Sequence, residues 1–388
     1  MGKIKFGAGR NGSIVLESRT TNEFLQNEFA DTMLPYQRAL MPFKFMQMGK
    51  NGKVIQNRIS VNGVFWQPKK PCNIDTGGKV VISSTETVPC AISAGMELCS
   101  ELLGTCLEHM DNYAADGSVA TTEFEQQFEN IIRNDFSNNA ASELLGLLMG
   151  GQYYSGLSST LSASGDLTGD DLTRFTAQEA SCQGLLKFLK TNIESCGVIG
   201  ETDYTTCENT SDILALLERL FCCAREKNAS FRRIVDMGYR AAASGRKPIF
   251  LVSDNLYGKF QSAYYALQNV QSAQFSPLTK ATVGDYDLFY YKGIPIAPIS
   301  IGVWDDHYKV TATGDAVKTQ FVALTVSENI EISTNYSTEQ ILGVDEPVSI
   351  VITKDPDPRR PNTFVLATNA LVKVNIVNPE LLVYDVTI

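Results

Sequence analysis

No run of 18 apolar residues occurs in this chain, so nothing in it is long enough to cross a bilayer as a helix. Its opening residues lack the apolar stretch of a secretory signal, and Phe6 stands where a Met1-Gly2 myristoylation motif wants Ser or Thr. Histidine is almost missing: His109 and His307 are the two present, and neither has a matched nucleophile nearby in sequence. GxSxG, HExxH and a GxGxxG after a strand are all absent. MGKNGKV at 48–54 lacks both the spacing of a phosphate loop and the Ser or Thr that would hold magnesium. The acidic groups Asp166, Asp170 and Asp171, and Asp305 and Asp306 beside His307, do not follow the ligand order of a calcium loop and read as solvated turns. Basic and aromatic residues are not interleaved as in a single-strand nucleic-acid groove. No catalytic role, cofactor or metal is therefore expected. Nine cysteines, an odd number without a CxxC pair, lead us to expect reduced thiols, with bridges between subunits as the alternative.

What is present is charge asymmetry. Residues 1–70 carry eleven basic side chains against four acidic, whereas residues 71–150 carry two against twelve. Opposite signs in adjacent segments suggest a charged partner, either nucleic acid or another copy of the chain. With 388 residues, 44% of them hydrophobic, the chain can bury a substantial core in two or more lobes.

Residues 1–48 show no sustained amphipathic period and read as an extended arm that orders on a neighbour. Lys53 to Trp66 alternates as a strand, with a bulge at Asn62-Gly63, and Lys79 to Pro89 is β-branched. Together they predict a long hairpin, marginal unless it lies on something else. Ala91 to His109 reads as a helix. Thr121 to Gly151 reads as a longer one, with Phe124, Phe128, Ile132, Phe136 and Leu144 recurring on one face. Residues 152–210 begin in a Ser/Gly/Thr-rich surface loop and include a short helix from Leu185 to Ile193. Ser211 to Ala243 is helical with a polar break. Lys247 to Val252 is a continuous apolar run, expected as a strand buried on both faces. Asp254 caps a helix at 257–271, and 287–301, 320–325, 348–353 and 364–388 are further β segments, the last broken at Asn378-Pro379.

That order of elements resembles the major capsid proteins of tailed bacteriophages, a fold shared with encapsulins. The resemblance rests on FENIIRNDFSNNAASELLGLLMGG as a spine helix and SGRKPIFLVSDNLYGKF as strand plus helix. It rests also on DLFYYKGIPIAPIS, FVALTVSENIEIS and the ending TNALVKVNIVNPELLVYDVT. It implies an α+β fold with an N-terminal arm (1–48), an extended hairpin loop (49–90), and a peripheral domain with the spine helix (91–151). An axial α/β domain (152–325, with 152–210 a candidate insertion) and a return to the peripheral domain (326–388) complete it. It further implies a non-enzymatic protein that assembles as hexamers and pentamers into an icosahedral shell around double-stranded DNA, made in a host cytoplasm. The alternative is an encapsulin-like compartment. Implied partners are other copies of the chain, DNA contacted non-specifically, and scaffold, portal and decoration proteins, with no membrane. Candidate subunit contacts are Val54, Arg58, Ile59, Val61, Phe65, Trp66, Lys69 and Lys70 of the hairpin, and Arg10, Arg19 and Arg38 of the arm.

Overall fold

The computed structural model describes residues 7–8, 14–15, 40–47, 54–63, 78–87, 89–98, 138–153, 162, 168–196, 210–238, 246–268, 277–283, 286–301, 308–310, 316–334, 351–354 and 364–386. In chain order these form β1 (Gly7–Ala8), β2 (Ile14–Val15), β3 (Phe43–Gln47), β4 (Val54–Gly63), β5 (Gly78–Thr87) and β6 (Cys90–Leu98). Then come α1 (Asn138–Gly150), α2 (Gly169–Ala180), α3 (Leu185–Asn192), α4 (Thr210–Lys227) and α5 (Ala229–Met237). β7 (Pro248–Ser253) leads into α6 (Asp254–Gln268), followed by β8 (Leu278–Val283), β9 (Tyr286–Tyr291) and β10 (Ile294–Ile299). Last are β11 (Tyr308–Val310), β12 (Ala316–Lys318), β13 (Phe321–Val326), β14 (Ile330–Thr334), β15 (Val351–Lys354), β16 (Phe364–Ile376) and β17 (Val383–Val386). The architecture is mixed α+β.

A six-stranded sheet in the order β17-β13-β7-β10-β9-β8 is the central layer. Every residue of β7 and of β13 is buried, as continuous apolar runs covered on both faces require. Alternate residues of these strands feed two cores. Phe250, Val252, Ile296, Val322 and Leu324 pack with Leu216, Leu220, Phe231 and Phe260 of α4–α6. Ile249, Leu251, Ile299 and Ala323 pack instead with Leu145, Met149, Leu186 and Leu189 of α1 and α3, and with Ile332 and Val374 of a second sheet. That sheet runs β1-β2-β15-β16-β14-β3, with β6 also on β16. Asn228 separates α4 from α5 by capping the latter: its side chain accepts from the Phe231 amide at 2.7 Å. The segment 287–301 is a hairpin rather than one strand, because Lys292 (φ 49°) and Gly293 (φ 78°) turn it back in two residues.

The structure corrects several sequence expectations. Residues 90–98 are a strand, not the start of a helix. They pair with β16 from Cys90 opposite Val372 to Leu98 opposite Phe364. Ile92 and Ala94 are half-buried while Ala91, Ser93 and Gly95 are exposed, a period of two. The end of the arm is not an outlying segment. β3 pairs in parallel with β14, and Leu40 and Phe43 lie in the core at 1% and 2% exposure. Five residues of alternation, with Phe43 and Phe45 on the core side, are enough because β14 supplies the partner. The C-terminal stretch divides: β16 lies in the second sheet, but β17 pairs with β13 in the central one. The Ser/Gly/Thr-rich loop expected at 153–173 gives way to helix before its end, since α2 begins at Gly169. Cys90 and Cys182 form a disulfide, with Cα atoms 5.7 Å apart, so these two are not reduced thiols. A separation of 92 residues hides that pairing from the sequence.

Phe124, Phe128, Ile132 and Phe136 lie outside the described residues. Leu144 is partly buried against the core beside Leu145 and Leu148. α1 ends at a tight crossing: a Cβ on Gly151 would sit 2.2 Å from the Cys182 carbonyl oxygen, and one on Gly184 2.5 Å from the Gly151 amide nitrogen. The Gly184 amide donates to the Gly151 carbonyl at 2.9 Å, and the Gln152 side-chain amide donates to the Ser181 carbonyl.

Candidate functional site

The feature that the two cores leave unexplained is the ribbon of β4 and β5. Its register runs from Val54 opposite Thr87 to Gly63 opposite Gly78, and neither strand pairs with any other among the described residues. At about 3.3 Å per residue it extends roughly 30 Å. Val80 and Ile82, two apart and so on one face, are 63% and 68% exposed. Opposite them stand Val61 and Ile59. Four β-branched residues thus sit at neighbouring positions of a two-stranded ribbon that joins no larger sheet among the described residues. Exposed apolar surface with open strand edges marks a contact surface.

The base of the ribbon is held firmly. Pro89 ends β5, and β6 then enters the second sheet along β16. Cys90, the first residue of β6, is bonded to Cys182, whose backbone lies against the Gly151–Gly184 crossing at the end of α1. The ribbon therefore rises from a point joined covalently to the helical layer.

Of the expected contact residues, Val54, Arg58, Ile59 and Val61 are on β4. Phe65, Trp66, Lys69, Lys70, Arg10, Arg19 and Arg38 lie outside the described residues. Val80, Ile82, Cys90 and Cys182 were not singled out from the sequence. The alternation of KVVISS could have pointed to Val80 and Ile82, but nothing local pairs the two cysteines.

A second notable arrangement is the junction between the sheets. The chain crosses from the central sheet to the other after β13 and crosses back after β16. Asn329 and Asn378 join the two crossings. The Asn378 amide donates to Asn329 Oδ1 at 2.8 Å, and Asn329 Nδ2 donates to the Asn378 carbonyl at 3.1 Å and to Thr325 Oγ1 at 3.0 Å. The Val377 amide donates to the Asn329 carbonyl at 2.8 Å. Asn329 is buried and its bond to Thr325 with it, whereas its bonds to Asn378 are part-buried. On the far side of the central sheet, Lys292 and the Tyr291 hydroxyl both donate to Glu218 Oε2 of α4. Burial alone would raise the Glu218 carboxyl, but those two donors outweigh it and hold it below the usual range. Among the described residues no group of three His, Cys, Asp or Glu is placed to hold a metal, and no helix is long and apolar enough to cross a membrane.

No family profile and no curated protein matches the chain. Solved structures do. The satellite phage P4 procapsid including size determination (Sid) protein is 12% identical with a TM-score of 0.48, covering 97% of this chain and 93% of that one. The capsid of Ralstonia phage GP4 is 8% identical at 0.47, covering 97% and 90%. The holo-SrpI encapsulin complex from Synechococcus elongatus PCC 7942 is 10% identical at 0.38, covering 88% and 84%. The likeness is to two phage capsids and an encapsulin.

Proposed function

We propose that the chain is the major capsid protein of a tailed double-stranded DNA bacteriophage, many copies of which tile an icosahedral shell as hexamers and pentamers. The observation that carries this reading is the ribbon: it exposes Val80 and Ile82 while its base is tied into a body whose central sheet is covered on both faces. A stiff tile with a projecting apolar strip suits side-by-side assembly. Covering the strip on an adjacent copy removes apolar area from water at about 25 cal/mol per Å². The hairpin (49–90) reaches across a neighbour, and the basic arm meets either the acidic segment of another copy or packaged DNA. DNA contacts of this kind are independent of sequence and weaken with salt. The region 91–151 with 326–376 forms the peripheral part, 152–325 joined by β17 the axial part, and scaffold, portal and decoration proteins are the remaining partners. The protein is made in the host cytoplasm and resides in the virion.

The test is size-exclusion chromatography and negative-stain microscopy of the expressed full chain. Hexameric sheets or closed shells are expected, and a compact monomer at every concentration would overturn the reading. Particles purified from their natural source then separate the two shell types. Nuclease-protected DNA inside supports the capsid, whereas a protein cargo without DNA favours an encapsulin-like compartment.

A further inference from the structure

The cysteines of the second core are arranged for chemistry that the shell reading does not use. Cys196 follows α3, and its backbone amide donates to the Tyr384 carbonyl of β17 at 3.0 Å. The Tyr384 hydroxyl donates back to the Ile193 carbonyl at 2.9 Å, so residues 193–196 are clamped along that strand. α4 packs against the same strand from the other direction. At its last turn Lys227 Nζ donates to the Leu382 carbonyl at 2.6 Å, two residues before Tyr384. Cys223 is one helical turn before Lys227, hence on the same face of α4. Both thiols are half-buried against the same apolar cluster, near enough for the Cys223 thiol to act on Cys196. Cys222, its chain neighbour, is exposed instead, with its sulfur 3.9 Å from Glu218 Oε1.

We propose that Cys196 and Cys223 are a thiol–disulfide exchange site, closed into a bond by a small soluble disulfide. The Cys223 sulfur attacks one sulfur of the small disulfide, forming a mixed disulfide and releasing one molecule of small thiol. The Cys196 sulfur gives up its proton and displaces the second small thiol from Cys223. Two protein thiols are oxidised by two electrons, and the small disulfide is reduced to two thiols that take up both protons. Burial first, and then the Cys223 thiol, push the Cys196 thiol above its ordinary range, which leaves the first attack to Cys223. Closure would brace α4 to the residues clamped on β17, as the Cys90–Cys182 bond braces the ribbon's base to α1 in the other core.

The experiment treats the native full chain with oxidised glutathione, blocks remaining thiols with N-ethylmaleimide at acid pH, and maps the non-reduced peptides by mass spectrometry. A cross-link between the peptides of Cys196 and Cys223, lighter by two hydrogens, is expected. It should persist unchanged in Cys222→Ser and disappear in Cys223→Ser. The proposal is overturned if Cys196 and Cys223 both carry the maleimide, if either stops at the glutathione adduct, or if Cys196 is joined to Cys222. Mapping the unsubstituted chain alone decides the matter should Cys223→Ser fail to fold.

Discussion

At the residue scale, two polar side chains carry more of the structure than their neighbours. Asn329 is buried and serves Asn378 and Thr325 at once. Asn329→Ala leaves the part-buried Asn378 amide without its acceptor. A loss of about 1–2 kcal/mol in urea unfolding is expected from that orphaned group. Glu218 behaves differently because its side chain is 43% exposed and its pairing with Lys292 is screened. Its folded pKa lies below its unfolded one, so the stabilisation is complete above the ordinary carboxylate value and fades as pH falls through the folded value. Glu218→Gln should lower the urea midpoint slightly at neutral pH, and the gap from the unsubstituted chain should close as the solution is acidified below the usual carboxylate range. Neither residue was legible as important in the sequence, since each depends on a partner from a remote segment.

At the element scale, legibility followed whether an element's identity is decided locally. KPIFLV reads as a doubly buried strand because six consecutive residues with no polar alternation leave no solvent face, and β7 is one. The stretch from Ala91 fits a helix through Ile92, Met96 and Cys99, yet Ile92, Ala94, Met96 and Leu98 fit a strand equally. What decides is β16, some 270 residues further along the chain. The hairpin strands were legible from alternation, but which face stays uncovered was not. Ile82→Asp on that face should leave monomer stability within about 0.5 kcal/mol, because the side chain is 68% exposed. The same variant should prevent particle formation in chromatography and micrographs; particles as abundant as before would remove the ribbon from the contact. The ribbon's anchor gives a further prediction. A bond between residues 92 apart restricts the unfolded chain by up to about 4–5 kcal/mol. Cys90→Ala with Cys182→Ala should lower the unfolding midpoint under oxidising conditions and make it much less sensitive to dithiothreitol, whereas the unsubstituted chain should lose stability when reduced.

At the scale of the whole molecule, the two sheets are joined where β13 passes to β14 and where β16 passes to β17, and Asn329 with Asn378 fastens these passages side by side. Two straps running in opposite senses and buckled together leave little freedom to swivel. The two sheets also share one apolar core, so turning either half against the other would have to tear both the buckle and that core. Were copies to tile a curved shell as proposed, the curvature would have to be taken up between them rather than within each one.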